Sequence, residues 1–497
     1  MRQLYNLLLV AFVAITLSGC NRNKQPELLY DINISERVIC AFDGQTVEVE
    51  YSLQNLADNV AEVNITATTD ASWITNIDTS TVKLLRITIE ENSAETRNAE
   101  ITIKADGYKA TTFRLTQYGT PPEVATHTLM YFFFGTSLNR YFKTNLQDAA
   151  LAIETGILGN SNRVVFFRQQ NNQSAYIGEL CFDINSGECI ERKIEDDIDI
   201  GGKQLTPEDI GHYIKKMSEA APANRYGLVL AGHGQGWVTC SILNGGATTF
   251  SAGDYNPWIQ AAGAETTRAF GEANVRVDIP QIAEGIEHSG VMLDYLLFDA
   301  CFMSNIETVY DLRNSANYII ASPCEIMGRG FPYERTLPYL FEDEGSTTNY
   351  IKATESYYNY YRDEYVGSAR CGSIALFDCS KIEALAEATA ELVKTAKSDY
   401  DTSSLQTYEG QDPHHFYDFG EWAGIVATDS KALDNFNTAL QECVIAKYTL
   451  PEFYSAYGSY GTYPINEEVY SGVTTSAPST AFPNGWKQTN WYKEVFE

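Results

Sequence analysis

Basic residues are scarce in this chain: 35 Lys and Arg stand against 65 Asp and Glu, a formal charge of −30. That argues against nucleic acid and against an anionic lipid surface as partners, because both are bound through clustered positive charge. Histidine is also scarce, with six scattered residues and no HExxH pattern. There is no CxxC pair, so a cysteine zinc site is not expected. The Gly234–Gly236 pair lacks the third Gly and the Lys of a nucleotide loop. Past residue 20, no stretch is apolar and long enough to cross a bilayer. What is present is ordinary globular material: 497 residues, 44% apolar, 12% aromatic and 20% charged, room for two or three domains.

The apolar run at 7–17 follows Arg2 and is too short for a spanning helix, but suits a signal peptide. Leu17-Ser18-Gly19-Cys20 after it resembles a bacterial lipobox, which implies a signal peptide at 1–19 and lipidation of Cys20. An ordinary signal peptide is the alternative. Residues 20–29 then read as a tether, and the mature protein as a body in the cell envelope whose only hold on a membrane is lipid. Asn21-Arg22-Asn23-Lys24 carry no acidic cluster, so the periplasmic and surface faces of an outer membrane both stay open. Export permits disulfides. Ten cysteines less Cys20 leave an odd nine; Cys181/Cys189 and Cys371/Cys379, each spaced by eight, are candidate pairs.

Residues 30–118 alternate polar and apolar residues in short runs (TVEVEYSL, KLLRITIE, AEITIKA, TTFRLTQ) separated by turn formers. That pattern predicts a small antiparallel sandwich. Ala71-Ser72-Trp73-Ile74, Arg97 to Ile103 and Leu115-Thr116-Gln117 resemble the BACON-type domain, a small immunoglobulin-like module of exported bacterial proteins. The resemblance implies carbohydrate or mucin binding, with Trp73 as a glycan contact. A rigid spacer, with Trp73 in its core, is the alternative.

Residues 119–125 hold Thr120-Pro121-Pro122-Glu123 and read as a linker. The domain at 126–497 has a different pattern. Continuous apolar runs at 127–135, 163–169, 226–232 and 295–300 alternate with amphipathic stretches at 145–158, 206–221 and 279–289. This predicts an α/β/α sandwich on a mostly parallel sheet, with ligands beyond the carboxyl ends of the strands. Two of the strands run directly into chemistry. YGLVLAG leads into His233-Gly234-Gln235-Gly236-Trp237, and YLLFDA leads into Cys301. On neighbouring strands, His233 and Cys301 face each other. An imidazole draws the proton from a thiol, and the thiolate is the nucleophile. The N–H groups of Gly234 and Cys301 are candidate oxyanion donors.

LVLAGHGQGW followed by LLFDACFMSNIETVYDLRNSANYIIASPCEIMGRGFPY resembles the clostripain-like cysteine peptidases of the caspase–gingipain clan, from about 126 to the C-terminus. Tyr417-Asp418-Phe419-Gly420 resembles the family's downstream aspartate segment. The resemblance implies a caspase-like fold and an endopeptidase acting on protein or peptide substrates through a Cys301–His233 dyad. It places Asp299 in the substrate pocket, where a carboxylate suits Arg or Lys before the cut. Arg329 stands where relatives carry another acid, with Glu325 four residues earlier. Pointing into the pocket, Arg329 would repel a basic substrate and could pair with Asp299; the alternative is a solvent-facing side chain. The stretch 238–277 resembles an activation insertion, with Arg268 and Arg276 as self-cleavage points, or a lid. No cofactor is required for the chemistry; calcium dependence is a further implication, though no EF-hand spacing exists. Asp412-Pro413-His414-His415 with Asp418 is a weaker, metal-like cluster, more readily a loop. The rival function is a glycan- or mucin-binding lipoprotein whose peptidase-like domain is idle.

Overall fold

The computed structural model describes residues 29–56, 63–94, 96–120, 122–156, 159–183, 188–201, 204–239, 277–342, 346–457, 460–477, 479 and 482–497. Cys20, Cys240, Arg268 and Arg276 lie outside the described residues. The chain divides into two compact units. The first comprises Met1–Val38, Gln45–Glu90 and Ala99–Leu115; the second comprises Ile39–Gly44, Glu91–Asn98 and Thr116–Glu497.

The N-terminal region is all β. Its strands are β1 (Ile32–Ile34), β2 (Arg37–Cys40), β3 (Gln45–Leu53), β4 (Ile65–Thr68), β5 (Ile74–Thr81), β6 (Leu84–Ile89), β7 (Arg97–Ala105) and β8 (Thr111–Gln117). They form two four-stranded sheets, ordered β1-β3-β6-β5 and β2-β8-β7-β4. Alternation decides which face is covered. In β7, Ala99, Ile101, Ile103 and Ala105 are buried and the residues between them are not. In the other sheet, Leu85, Ile87 and Ile89 of β6 are buried in the same way. Trp73 is half-buried just ahead of β5.

The second unit is built on β9 (Ala125–Phe133), β10 (Asn162–Gln169), β11 (Ser174–Asp183), β12 (Glu188–Asp199), β13 (Ala223–Ala231), β14 (Leu293–Asp299), β15 (Ala316–Ala321), β16 (Ile374–Asp378) and β18 (Val444–Tyr448), with β17 (Tyr417–Asp418) in a separate small pairing. The nine-stranded sheet runs β12-β11-β10-β9-β13-β14-β15-β16-β18. Its five central strands are parallel. Its two outer strands on each side are antiparallel. The sheet is therefore mixed, where the sequence predicts a mostly parallel one. On one side, a four-residue connection after β10 leaves no room for a crossover helix, so the chain turns back as a hairpin.

Both faces are covered by helices: α1 (Asn139–Glu154), α2 (Pro207–Ala220), α3 (Ile279–Ser289), α4 (Ile306–Asp311), α5 (Tyr333–Phe341), α6 (Thr347–Glu364) and α7 (Ile382–Val393). The start signals of α2 and α3 are local. Thr206 and Asp209 form a reciprocal capping box before α2, and Asp278 stands at the N-cap of α3 with Pro280 in the first turn. Strand β14 shows the two faces. Asp299 meets Tyr333 of α5, while Phe298 and Ala300 line a cavity with Ile210 of α2 and Ile279 of α3. In β9, Leu129 to Phe133 are all buried, each large side chain worth about 1.5–3 kcal/mol of burial. The tyrosine-rich stretch at 357–365 lies on α6 and its end; Tyr357 and Tyr361 are fully buried in core, Tyr358 and Tyr360 partly.

All eight described cysteines are free thiols. Cys181 pairs across β11–β12 with Ile190, and Phe182 with Cys189, so the two cysteines point to opposite faces. Cys371 and Cys379 flank the five-residue β16 at opposite ends, far beyond the ~7 Å reach of a disulfide. Neither candidate pair forms.

Candidate active site

The sheet order sets the place. From β9 the chain first adds β10 on one side, then β13 on the other, so strand order reverses between β9 and β13. Crevices beyond the carboxyl ends of strands at such a reversal are where ligands bind. The registers bring three strand ends level. Phe133 pairs with Ala231, and Ala231 with Asp299. His233 and Cys301 each follow two residues after that row.

The two loops meet through their backbones. A Cβ on Gly234 would lie 2.1 Å from the carbonyl O of Cys301 and 2.8 Å from its N, so only glycine permits this approach. Gly236 has φ +61° and faces the Asn305 amide and Phe302 carbonyl just beyond the cysteine. His233 is half-buried, and its Nε2 lies 2.7 Å from the hydroxyl of Ser137 in the turn after β9.

Cys301 is fully buried. The backbone N–H of Ile326 donates to its Sγ at 3.1 Å. The same Sγ lies 3.8 Å from the Ile326 carbonyl, toward which the thiol S–H donates, so one residue's backbone holds the sulfur from both sides. The next residue, Phe302, holds φ +61°, a left-handed conformation that a side chain rarely adopts. Its N–H donates to Cys324 O at 3.0 Å, its O accepts from Asn305 Nδ2 at 2.6 Å, and its ring stacks on Phe416 at 5.2 Å. These contacts hold the strain that turns the chain sharply after the thiol.

Asp299 is fully buried and accepts from Tyr333 Oη at 2.8 Å. Tyr131 and Tyr357 are held well above the usual phenol range, by burial first and with Asp299 among the charges acting on them. Neither of their hydroxyls has a hydrogen-bond partner among the described residues. Arg329 makes its ion pair with Asp148 of α1 at 2.6 Å, and its carbonyl accepts from Asn145. Glu325 is buried and accepts from Ser455 Oγ and Ala456 N. On the opposite sheet face, an apolar cavity of about 120 Å³ reaches the rim formed by His233 and Gly234.

The Asp412–His415 segment is a loop with a structural purpose. Glu409, fully buried, accepts from the N–H groups of Gln411, His415 and Phe416 and bonds His414 Nδ1 at 2.9 Å. Asp418 receives Tyr408 Oη, Glu421 N and Ser471 N. Among the described residues, no group of three or more His, Cys, Asp or Glu could hold a metal ion. No described helix is long and apolar enough to cross a membrane.

A model of the Clostripain family, Peptidase_C11, matches residues 136–471, well over half of the chain. The chain belongs to the Clostripain family. Membership makes the matched domain a cysteine peptidase. Among solved structures, a secreted C11 cysteine protease from Bacteroides thetaiotaomicron, iotapain, is 29% identical over 75% of this chain and 100% of its own, with a TM-score of 0.64. An inactive zymogen C11 protease from Parabacteroides distasonis is 26% identical over 76% of this chain and 100% of its own, with a TM-score of 0.61. A secreted C11 protease from B. thetaiotaomicron in complex with an irreversible peptide inhibitor, at 24% identity, 75% of this chain, 99% of its own and a TM-score of 0.60, shares the fold. No curated protein matches.

Four contributors to the site were missed from the sequence: Ser137, Ile326, Phe302 and Phe416. For Ser137 a signal existed, since it follows an apolar strand just as His233 and Cys301 do. Ile326 acts through its backbone, and Phe302 through a conformation, so residue type gave no sign of either.

Proposed function

We propose that this family member is an active endopeptidase in which Cys301 and His233 form the dyad. The observation that carries this reading is the contact of Gly234 with the Cys301 backbone at the level ends of β13 and β14. His233 takes the thiol proton, and Cys301 attacks the scissile carbonyl. The N–H groups of Gly234 and Cys301 meet the developing oxyanion. His233 then protonates the leaving amine, and water hydrolyses the acyl-enzyme.

Arg or Lys before the cut is the substrate class that Asp299 supports. A guanidinium or ammonium beside it would also give the Tyr131 and Tyr357 hydroxyls a partner. Arg329, held by Asp148, is occupied by a charge of its own. We further propose export with lipid attachment at Cys20; the description of iotapain as secreted supports export. The 30–118 region is proposed as a BACON-type spacer.

The test uses the mature chain, wild type and Cys301→Ala, on fluorogenic peptides varied at the residue before the cut, with calcium or a chelator. Cleavage by wild type alone, fastest after Arg or Lys, is expected. Equal cleavage by both proteins would remove Cys301 from the mechanism.

A further inference from the structure

Building on the Cys301–His233 reading, we propose that Ser137 is a positioning residue of the site: its hydroxyl accepts the Nε2–H of His233 and thereby fixes the imidazole tautomer that serves as base. Ser137 Oγ lies 2.7 Å from His233 Nε2. The two residues are 96 positions apart and follow different strands, which adjoin at the point where strand order reverses. The turn carrying Ser137 is well held. Phe134 N–H donates to Ala231 O at 2.9 Å, Gly135 N–H to Gln169 Oε1 at 2.9 Å, and Asn139 N–H to Thr136 O at 3.2 Å. Leu138, next in the chain, is buried and anchors the turn to the core.

A neutral imidazole carries one proton: the nitrogen that holds it donates, and the other accepts. In the dyad proposed above, Nε2 is engaged by Ser137, so the exchange of a proton with Cys301 is assigned to Nδ1. To act as base, Nδ1 must be bare, so the proton sits on Nε2 and Ser137 accepts. Were Ser137 the donor, Nδ1 would already be protonated and no proton could leave the thiol. Once the thiol proton arrives, the ring is cationic and the bond to Ser137 becomes charge-assisted, roughly twice as strong. A hydroxyl adds no negative charge of its own, so it orients the ring while raising its basicity less than a carboxylate would.

The experiment compares wild type with Ser137→Ala, Ser137→Thr and Ser137→Asp in the mature chain. Histidine-selective ¹⁵N labelling leaves six side chains to resolve. His233→Ala assigns the signal. In wild type and Ser137→Thr, neutral His233 is expected to be protonated on Nε2. In Ser137→Ala the tautomers mix and the titration midpoint falls; in Ser137→Asp the midpoint rises. In Ser137→Ala, kcat falls roughly 10–100-fold with KM nearly unchanged, less than the ~10⁴ lost when an orienting carboxylate is removed from such a site. The same tautomer and midpoint in Ser137→Ala as in wild type, or a wild-type ring protonated on Nδ1, overturns the proposal. The magnetic-resonance readout stands apart from turnover. The expected signals without any cleavage by wild type support Ser137 and sink the peptidase reading. Cleavage with unchanged signals does the reverse.

Discussion

Two places in the second unit gather histidine and acidic or nucleophilic side chains: the strand ends at 231–237 and 299–305, and the loop at 409–418. They are built in opposite ways. In the loop, side-chain charge is spent on structure. One buried carboxylate, Glu409, takes three backbone N–H groups and a histidine nitrogen. His414 is held above its usual range by that carboxylate, and burial pushes His415 down to about 4. At the strand ends the relation is reversed, and structure is spent on the side chains. A backbone N–H faces the sulfur, a glycine makes the close approach, and a strained Phe302 makes the turn. The loop then serves the strand ends from behind: Phe416 stacks on Phe302, and the Ser476 hydroxyl links the His415 carbonyl to Trp237. A cluster of reactive residue types is therefore informative only when its partners are known.

That contrast is open to test. Gly234→Ala drives a methyl into the Cys301 carbonyl, which is backbone and cannot swing aside. We expect kcat/KM to fall at least ~10²-fold, since misplacement by about 1 Å costs that much. Retained activity would show that the two loops need not touch. Glu409→Ala strands several buried donors and should cost stability by about 3 kcal/mol in urea unfolding. The protein that remains folded should keep kcat/KM within about tenfold; a far larger loss would place the loop in the chemistry. His127, at the far end of β9, provides a control. Its two nitrogens have no hydrogen-bond partner among the described residues, and burial pushes it down to about 3. The unfolded chain binds that proton below about 6.5, the folded chain only near 3, so acid destabilises the wild type across this window. Between pH 6.5 and 4.5, wild type should lose about 2 kcal/mol more than His127→Phe, measured by denaturation at each pH. Trp237→Phe removes one hydrogen bond to Ser476 and should cost about 1 kcal/mol with activity nearly kept.

Much of the second unit was legible because its parallel strands are buried on both faces and read as unbroken apolar runs. The residues after two of them, His233 and Cys301, announced themselves by type. The antiparallel edges were not legible: β12, ECIERKIEDDID, is largely exposed and so carries no unbroken apolar run. The partner of Arg329 could not be read either, because Asp148 lies 181 residues away on α1. Asp299 is singled out by the family resemblance, two residues before Cys301; the tyrosines around its carboxylate come from β9, α5 and α6, and only the fold assembles them. Ser137 escaped because serine in a turn usually serves the backbone.

The most direct measurement is covalent. Wild type, Cys301→Ala and His233→Ala would each be incubated with a peptidyl chloromethyl ketone ending in lysine, then mapped by mass spectrometry. The account requires one adduct, on Cys301, formed at a much lower rate in His233→Ala and absent from Cys301→Ala. Labelling of another cysteine, or labelling of Cys301 at an undiminished rate without His233, would contradict it.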